Sequence, residues 1–93
     1  MVIKNAKTRY YYVYVLQSSI DDNFYVGYTN DLKRRILEHN RGIVKSTENR
    51  KPLKLVYCEV SLNQTDAILR EKYLKTAWGK RYIKNRIKNY LTG

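Results

Sequence analysis

Two runs of tyrosine and β-branched residues on either side of a short polar segment restrict this chain more than any other feature. Tyr10-Tyr11-Tyr12-Val13-Tyr14-Val15-Leu16 and Phe24-Tyr25-Val26-Gly27-Tyr28 carry side chains that suit a pleated, half-buried surface. Ser18-Ser19-Ile20-Asp21-Asp22-Asn23 lies between them and has turn chemistry, so the runs are predicted to pair as an antiparallel hairpin. A chain of 93 residues makes one domain, 1–93, and hides only about 60–65% of the surface its unfolded form exposes. The hairpin must therefore share a thin core with the elements beyond it.

The remainder of the chain reads as helix, strand, helix, helix. Thr29 or Asn30 is expected to cap the first helix, with Asp31 in its first turn and Gly42 ending it. Leu32, Ile36 and His39 share one face, and Arg35 lies along its edge, at i, i+4 from His39. A polar, mostly basic loop from Gly42 to Lys51 leads to Pro52 and a third strand, Leu53-Lys54-Leu55-Val56-Tyr57-Cys58-Glu59-Val60. Asn63 or Thr65 caps a second helix, whose stripe is Ala67, Glu71, Leu74 and Trp78. Gly79 is expected to break that pattern before a last helix runs through Ile83, Ile87 and Tyr90. The predicted fold class is α/β (α+β), a small three-stranded antiparallel sheet flanked by about three helices in the order β-β-α-β-α-α. Residues 9–78 form its core, and 79–93 a basic C-terminal helix.

Charge narrows the partners. Nineteen Lys and Arg against eight Asp and Glu leave a formal net charge of +11, which repels itself on so small a body unless a polyanion neutralises it. Nucleic acid is the expected partner. A membrane-surface helix would need an apolar face rich in Leu or Phe, which only the C-terminal stretch approaches, and no segment nears the roughly 18 apolar residues of a span. The lone Cys58 and the lack of an apolar leader in Met1 to Arg9 point to the cytoplasm. One Cys and one His cannot build a zinc centre.

Among residues suited to chemistry, Glu71 stands out, because an ionised carboxylate on a core-facing stripe needs a cation or donors to replace lost solvation. A bound metal would meet that need, and so would an ordinary ion pair with Lys or Arg. Arg35 has the fork of donors that clamps a phosphate oxygen, but Lys33, Arg34 and Arg41 share its helix and spacing does not single it out. His39, the sole histidine, is either a satisfied core residue or a proton carrier. Most of the ten tyrosines are expected to pack, with the rest left for phosphate contact or proton transfer.

Taken together these residues resemble the GIY-YIG nuclease family, in particular its small stand-alone, UPF0213-like members. Tyr12-Val13-Tyr14 matches the first signature triplet and Tyr25-Val26-Gly27 the second. Arg35 follows the signature glycine by eight residues, as that family's catalytic arginine does, and His39 comes four later. Asp66-Ala67-Ile68-Leu69-Arg70-Glu71 resembles the segment that carries the family's metal-binding glutamate. Tyr12 and Val13 depart from the glycine and isoleucine of the first triplet, while Tyr14 is kept.

The resemblance implies an endonuclease that hydrolyses DNA, with RNA as another possible substrate, using one Mg²⁺ or Mn²⁺ ion on Glu71 and no small-molecule cofactor. Tyr25, or second to it Tyr14, would take the proton of the attacking water. Arg35 would stabilise the phosphate and His39 would hydrogen-bond the tyrosine or a phosphate oxygen. Gly27 would leave room for that phosphate, and Tyr12, Lys33, Arg34, Arg41, Lys45, Lys80, Arg81 and Lys84 would contact the backbone. The competing expectations are a nucleic-acid-binding module that keeps the scaffold without cutting, and a small basic structural protein.

Overall fold

The computed structural model describes residues 8–93; the expected lack of a leader in Met1 to Arg9 falls largely outside them. Three strands, β1 (Tyr11–Ser18), β2 (Phe24–Thr29) and β3 (Leu53–Ser61), form one sheet in the order β2-β1-β3. Both pairings are antiparallel, Tyr14 standing opposite Gly27 on β2 and Cys58 on β3. The expected hairpin is thus present. Its turn is closed by backbone bonds from Ser18 N–H to Asn23 O and Asp22 N–H to Ser18 O. Asp22 takes a positive φ of 59°, a conformation Asp tolerates, and Asp21 Oδ1 accepts from Asn23 N–H.

Because β1 is central, both its faces are covered, and Val13, Tyr14, Val15 and Leu16 are all buried. Successive side chains point to opposite faces, so the run divides into two sets. Val13 and Val15 pack with Val26, Ala67, Leu74 and Ile83. Tyr14 and Leu16 pack with Leu53, and Tyr25, Leu32 and Ile36 close over them. Helix α1 (Leu32–Asn40) therefore covers one face of the sheet, and α2 (Gln64–Leu74) with α3 (Ala77–Arg86) covers the other. A bulge leaves Val56 of β3 without a partner between Val15 and Leu16. On the second face Arg70 of α2 donates two hydrogen bonds, 2.8 and 3.0 Å, to the Glu59 carboxylate of β3, and Tyr57 Oη donates a third at 2.8 Å.

The α/β order β-β-α-β-α-α is as expected, with differences at the helix ends. Asp31, not Thr29 or Asn30, caps α1, its carboxylate accepting from Arg34 N–H; the helix begins at Leu32, and the Thr29 hydroxyl is engaged one step earlier, accepting from Asp31 N–H. Gly42 does end α1, with φ +79° and its N–H on His39 O. Asn63 caps α2.

The stripe through Trp78 does not continue as one helix. Helix α2 stops at Leu74, Thr76 caps α3 by accepting from Gly79 N–H, and Trp78 lies exposed with Arg81 stacked on its ring. Gly79 is not a breaker: it sits inside α3, buried against the backbone of Tyr73 and Leu74, where a Cβ would lie 2.7 Å from the Leu74 carbonyl carbon. The expected last helix is itself divided at Ile87 into α3 and a short α4 (Lys88–Thr92). No helix among the described residues is long and apolar enough to cross a membrane.

Candidate active site

The α1 face of the sheet gathers four of the expected side chains around one buried hydrogen bond. Tyr14 points from the centre of β1 toward α1, and its Oη lies 2.8 Å from His39 Nε2. Both residues are buried, at 1% and 0% exposure. Tyr25, half-buried on the neighbouring strand, packs its ring against the edge of His39 with centroids 5.1 Å apart, and stands 6.4 Å from the Tyr14 ring. Arg35, one helical turn before His39, lies against the Tyr14 hydroxyl and donates from Nη1 to Glu38 Oε1 at 2.9 Å. The i, i+4 relation read from the sequence thus brings arginine and histidine to the same phenol.

Burial and the local charges set the proton affinities. Burial pushes the Tyr14 phenol up to about 12; the Arg35 guanidinium opposes the rise, and the charges of Tyr25 and Glu71 add to it. His39 moves the other way, down to about 4, because burial disfavours the imidazolium and Arg35 repels it, with Glu38 partly offsetting. At neutral pH the pair is a neutral phenol bonded to a neutral imidazole. The other ring nitrogen, Nδ1, lies 2.7 Å from Thr47 Oγ1.

Gly27 opposes Tyr14 across the hairpin, and a Cβ there would overlap the Tyr14 Oη and Cζ. The expected opening for a phosphate at Gly27 is corrected accordingly: the phenol of Tyr14 fills it. Glycine here is the condition for Tyr14 to reach His39.

Glu71 lies on the inner stripe of α2 between the buried Ala67 and Leu74, its side chain 19% exposed. It belongs to α2, on the face of the sheet opposite α1, and is the smallest of the charges that raise the Tyr14 pKa. The alternative of an ordinary ion pair is also realised, since Lys75 Nζ approaches Glu71 Oε2 at 3.0 Å. That pair is not sealed. Lys75 is 53% exposed and one helical turn away, and pairs of this kind contribute about 0.3–0.5 kcal/mol, so the lysine leaves at little cost.

Among the described residues no three of His, Cys, Asp and Glu come together as a closed metal cage. A single accessible carboxylate nevertheless fits Mg²⁺, which keeps several waters and takes one or two carboxylates plus substrate phosphate oxygens.

The expected backbone contacts divide. Tyr12 and Lys33 line one open depression of about 560 Å³ with Asn30, Asp31, Leu32 and Ile36. Lys80 and Lys84 line another, about 470 Å³, with Arg50, Asn23 and Phe24 at the hairpin turn. Arg81 stacks on Trp78, 4.7 Å from its ring centroid. Arg34 is drawn to Glu38 at 3.6 Å and Asp31 at 4.0 Å, and Arg41 and Lys45 are exposed beside them in sequence.

Two residues at the centre of this geometry were not anticipated. Glu38 stands at i+3 from Arg35 and i+4 from Arg34, a spacing that does signal ion pairs on a helix. Thr47 had no comparable signal, being one hydroxyl in a polar, basic loop.

The chain matches known proteins over most of its length. Residues 10–88 match the family model described as the GIY-YIG catalytic domain. The UPF0213 protein of Clostridium perfringens is 46% identical over 65 residues, 69% of each chain. That of Haloquadratum walsbyi is 41% identical over 68 residues, 72% of this chain and 75% of its own. The solution NMR structure of a UPF0213 protein from Bacillus halodurans superimposes with a TM-score of 0.53 at 32% identity, covering 82% of this chain and 83% of that one. The matched span runs from the first tyrosine strand past Gly79 and so contains Tyr14, Tyr25, Arg35, His39 and Glu71 together. On that ground the chain belongs to the GIY-YIG family, a family of nucleases, and is similar to its small UPF0213 members.

Proposed function

We propose that this protein is a metal-dependent endonuclease that hydrolyses phosphodiester bonds of DNA at the Tyr14–His39–Arg35 cluster. The observation that carries the reading is the 2.8 Å contact between Tyr14 Oη and the Nε2 of a neutral, buried His39, within a chain whose match to a catalytic domain spans residues 10–88. A phenol with a pKa near 12 is a poor base alone. Bonded to an imidazole that carries no charge, it can accept the proton of an attacking water while passing its own proton to Nε2, once the negative charge of a bound phosphate offsets the burial and the Arg35 charge that hold His39 neutral in the free protein. This favours Tyr14 over Tyr25 as the proton acceptor. Tyr25, half-buried and beside both rings, is left to orient the water or a phosphate oxygen.

Arg35 is the group for the charge that builds on phosphorus. Its guanidinium already lies against the Tyr14 hydroxyl, so a phosphate reaching the phenol reaches Arg35 as well. Glu38 holds that side chain by a 2.9 Å hydrogen bond, which fixes the direction of its remaining donors. Glu71 would hold one divalent ion, Mg²⁺ or Mn²⁺, which when bound supplies Lewis-acid stabilisation of the leaving oxygen. The bond that forms joins the water oxygen to phosphorus, and the bond that breaks joins phosphorus to the departing sugar oxygen. That oxygen takes its proton from solvent, and His39 later returns one proton to solvent through Tyr14.

The basic surfaces position the polyanion and do not read bases. Supercoiled and branched DNA, with an RNA panel beside them, should be incubated with the full chain and Mg²⁺ or Mn²⁺, with and without chelator. Cutting that needs the metal, falls about 10²- to 10³-fold in Arg35→Ala, and is lost in Glu71→Ala and Tyr14→Phe is the expected result. If all four proteins bind DNA equally and none cuts any substrate, the protein is a binding module and this reading is wrong.

A further inference from the structure

The loop between α1 and β3 is polar and basic, yet one residue in it is wholly buried. Lys45, Ser46 and Thr47 form a single 3-10 turn whose first two side chains are exposed, while Thr47 has 0% exposure. Its backbone is held on both sides, Thr47 N–H donating to Val44 O at 3.1 Å and Arg50 N–H to Thr47 O at 2.9 Å. A hydroxyl with no solvent access needs a partner. Thr47 Oγ1 finds it in His39 Nδ1, at 2.7 Å, on the side of the imidazole opposite Tyr14.

A neutral imidazole has one N–H and one bare nitrogen, so the chain Thr47–His39–Tyr14 can be polarised in only two ways. In one, Nδ1–H donates to Thr47 and Tyr14 O–H donates to Nε2. In the other, Thr47 O–H donates to Nδ1 and Nε2–H donates to Tyr14.

The unequal hydroxyls at the two nitrogens separate the two. Tyr14 is a phenol, with an ordinary pKa of about 10, and so a stronger hydrogen-bond donor and a weaker acceptor than the aliphatic hydroxyl of Thr47. In the first arrangement the bare Nε2 accepts from the stronger donor and the ring N–H goes to the better acceptor. In the second both pairings are reversed, and since each arrangement leaves one of the two hydroxyl hydrogens without a side-chain acceptor among the described residues, donor strength decides.

We propose that Thr47 is a positioning residue: its hydroxyl accepts the Nδ1–H of His39 and holds the imidazole in the tautomer whose bare Nε2 faces the Tyr14 hydroxyl. Thr47 touches neither phosphate nor water in this role. It decides which nitrogen is available to receive the proton of Tyr14, much as a carboxylate fixes the histidine tautomer in a serine-protease triad, where loss of that control costs about 10⁴-fold in rate. A neutral hydroxyl holds the ring less firmly than a carboxylate, and an effect of about tenfold or more is expected here.

The consequence for rate rests on the nuclease reading, whereas the tautomer does not. His39 is the only histidine in the chain, so its two ring nitrogens can be read without ambiguity in a long-range ¹H–¹⁵N correlation spectrum of the full-length, ¹⁵N-labelled protein at pH 7. The expected spectrum has a protonated Nδ1 and a bare Nε2. Thr47→Ser should preserve that pattern, and Thr47→Val, which keeps the volume and removes the hydroxyl, should move population to the Nε2–H tautomer. In the cleavage assay Thr47→Val should lower kcat about tenfold or more with KM unchanged, and Thr47→Ser should restore it to within about twofold.

A wild-type spectrum with Nε2 protonated overturns the proposal whether or not the protein cuts DNA. So does a folded Thr47→Val protein with the wild-type tautomer and wild-type kcat. Should Thr47→Val fail to fold, the wild-type and Thr47→Ser spectra decide. A protein that shows the expected tautomer and its loss in Thr47→Val, but cuts nothing, upholds the positioning role and refutes only the nuclease reading.

Discussion

Acidification should weaken this fold before its carboxylates titrate, and the reason is a single side chain. His39 has an ordinary pKa of 6.5 when the chain is unfolded and about 4 when folded, because burial and the Arg35 charge disfavour the imidazolium. Between those values the unfolded state binds a proton that the folded state refuses, so stability is full above pH 6.5 and is lost as pH falls toward 4. The limiting slope is about 1.4 kcal/mol per pH unit for one proton, and integrating between pH 7 and pH 5 gives a loss of about 2 kcal/mol. Unfolded Asp and Glu titrate mainly below pH 5, so this window belongs almost to His39 alone.

Urea denaturation at half-unit steps from pH 7 to pH 5 measures the loss, and the Hε1 resonance of the same histidine reports the folded pKa directly. For a domain of this size a loss of 2 kcal/mol corresponds to roughly 8–16 °C in Tm. A flat stability profile across the window, or an Hε1 midpoint between pH 6 and 7, would show that His39 is not buried against Tyr14 and Thr47, and the site as described would be wrong.

Gly27→Ala places a methyl where the Tyr14 phenol lies, and should cost about 1–3 kcal/mol in thermal denaturation and return the His39 pKa toward 6.5 as Tyr14 is displaced. Gly79→Ala meets the backbone of Tyr73 and Leu74 in place of a flexible side chain. It should lose at least as much stability, and a shift of Tm within 1–2 °C of wild type would contradict the close approach of α2 and α3. Lys80→Gln with Lys84→Gln should weaken DNA binding uniformly across sequences and reduce the slope of log K against log salt by about 2, as read by fluorescence anisotropy. An unchanged slope would put the phosphate backbone elsewhere.

The parts of the fold legible in the sequence were those with a strong local signal. The tyrosine-rich runs and the turn between them define a hairpin by composition alone, and the pairing of Tyr14 with Gly27 comes with the closing of that turn. The helix around Arg35 and His39 was equally clear, because apolar spacing and the terminal Gly42 agree.

Past Leu74 local pattern misled. Trp78 extends the Ala67–Glu71–Leu74 spacing, yet Thr76 captures the Gly79 amide and starts a new helix, so side-chain capping overrides an apolar register. Gly79 reads as a breaker by propensity, but its lack of a Cβ is what lets two helices touch. At the site, no local pattern reveals that Tyr14 fills the space above Gly27 or that a loop threonine reaches His39. Both depend on which atoms meet across the sheet and carry no periodicity.

The central claim is that one pocket brings a phenol, a guanidinium and a carboxylate to the same phosphate. Anomalous scattering from Mn²⁺ in crystals grown with a short DNA duplex tests it most directly. One peak bonded to a Glu71 carboxylate oxygen and to a phosphate oxygen, with Lys75 moved aside and Arg35 on the same phosphate beside Tyr14, is the expected result. A map with the Glu71–Lys75 pair intact and the metal or the phosphate bound away from Tyr14 would contradict it.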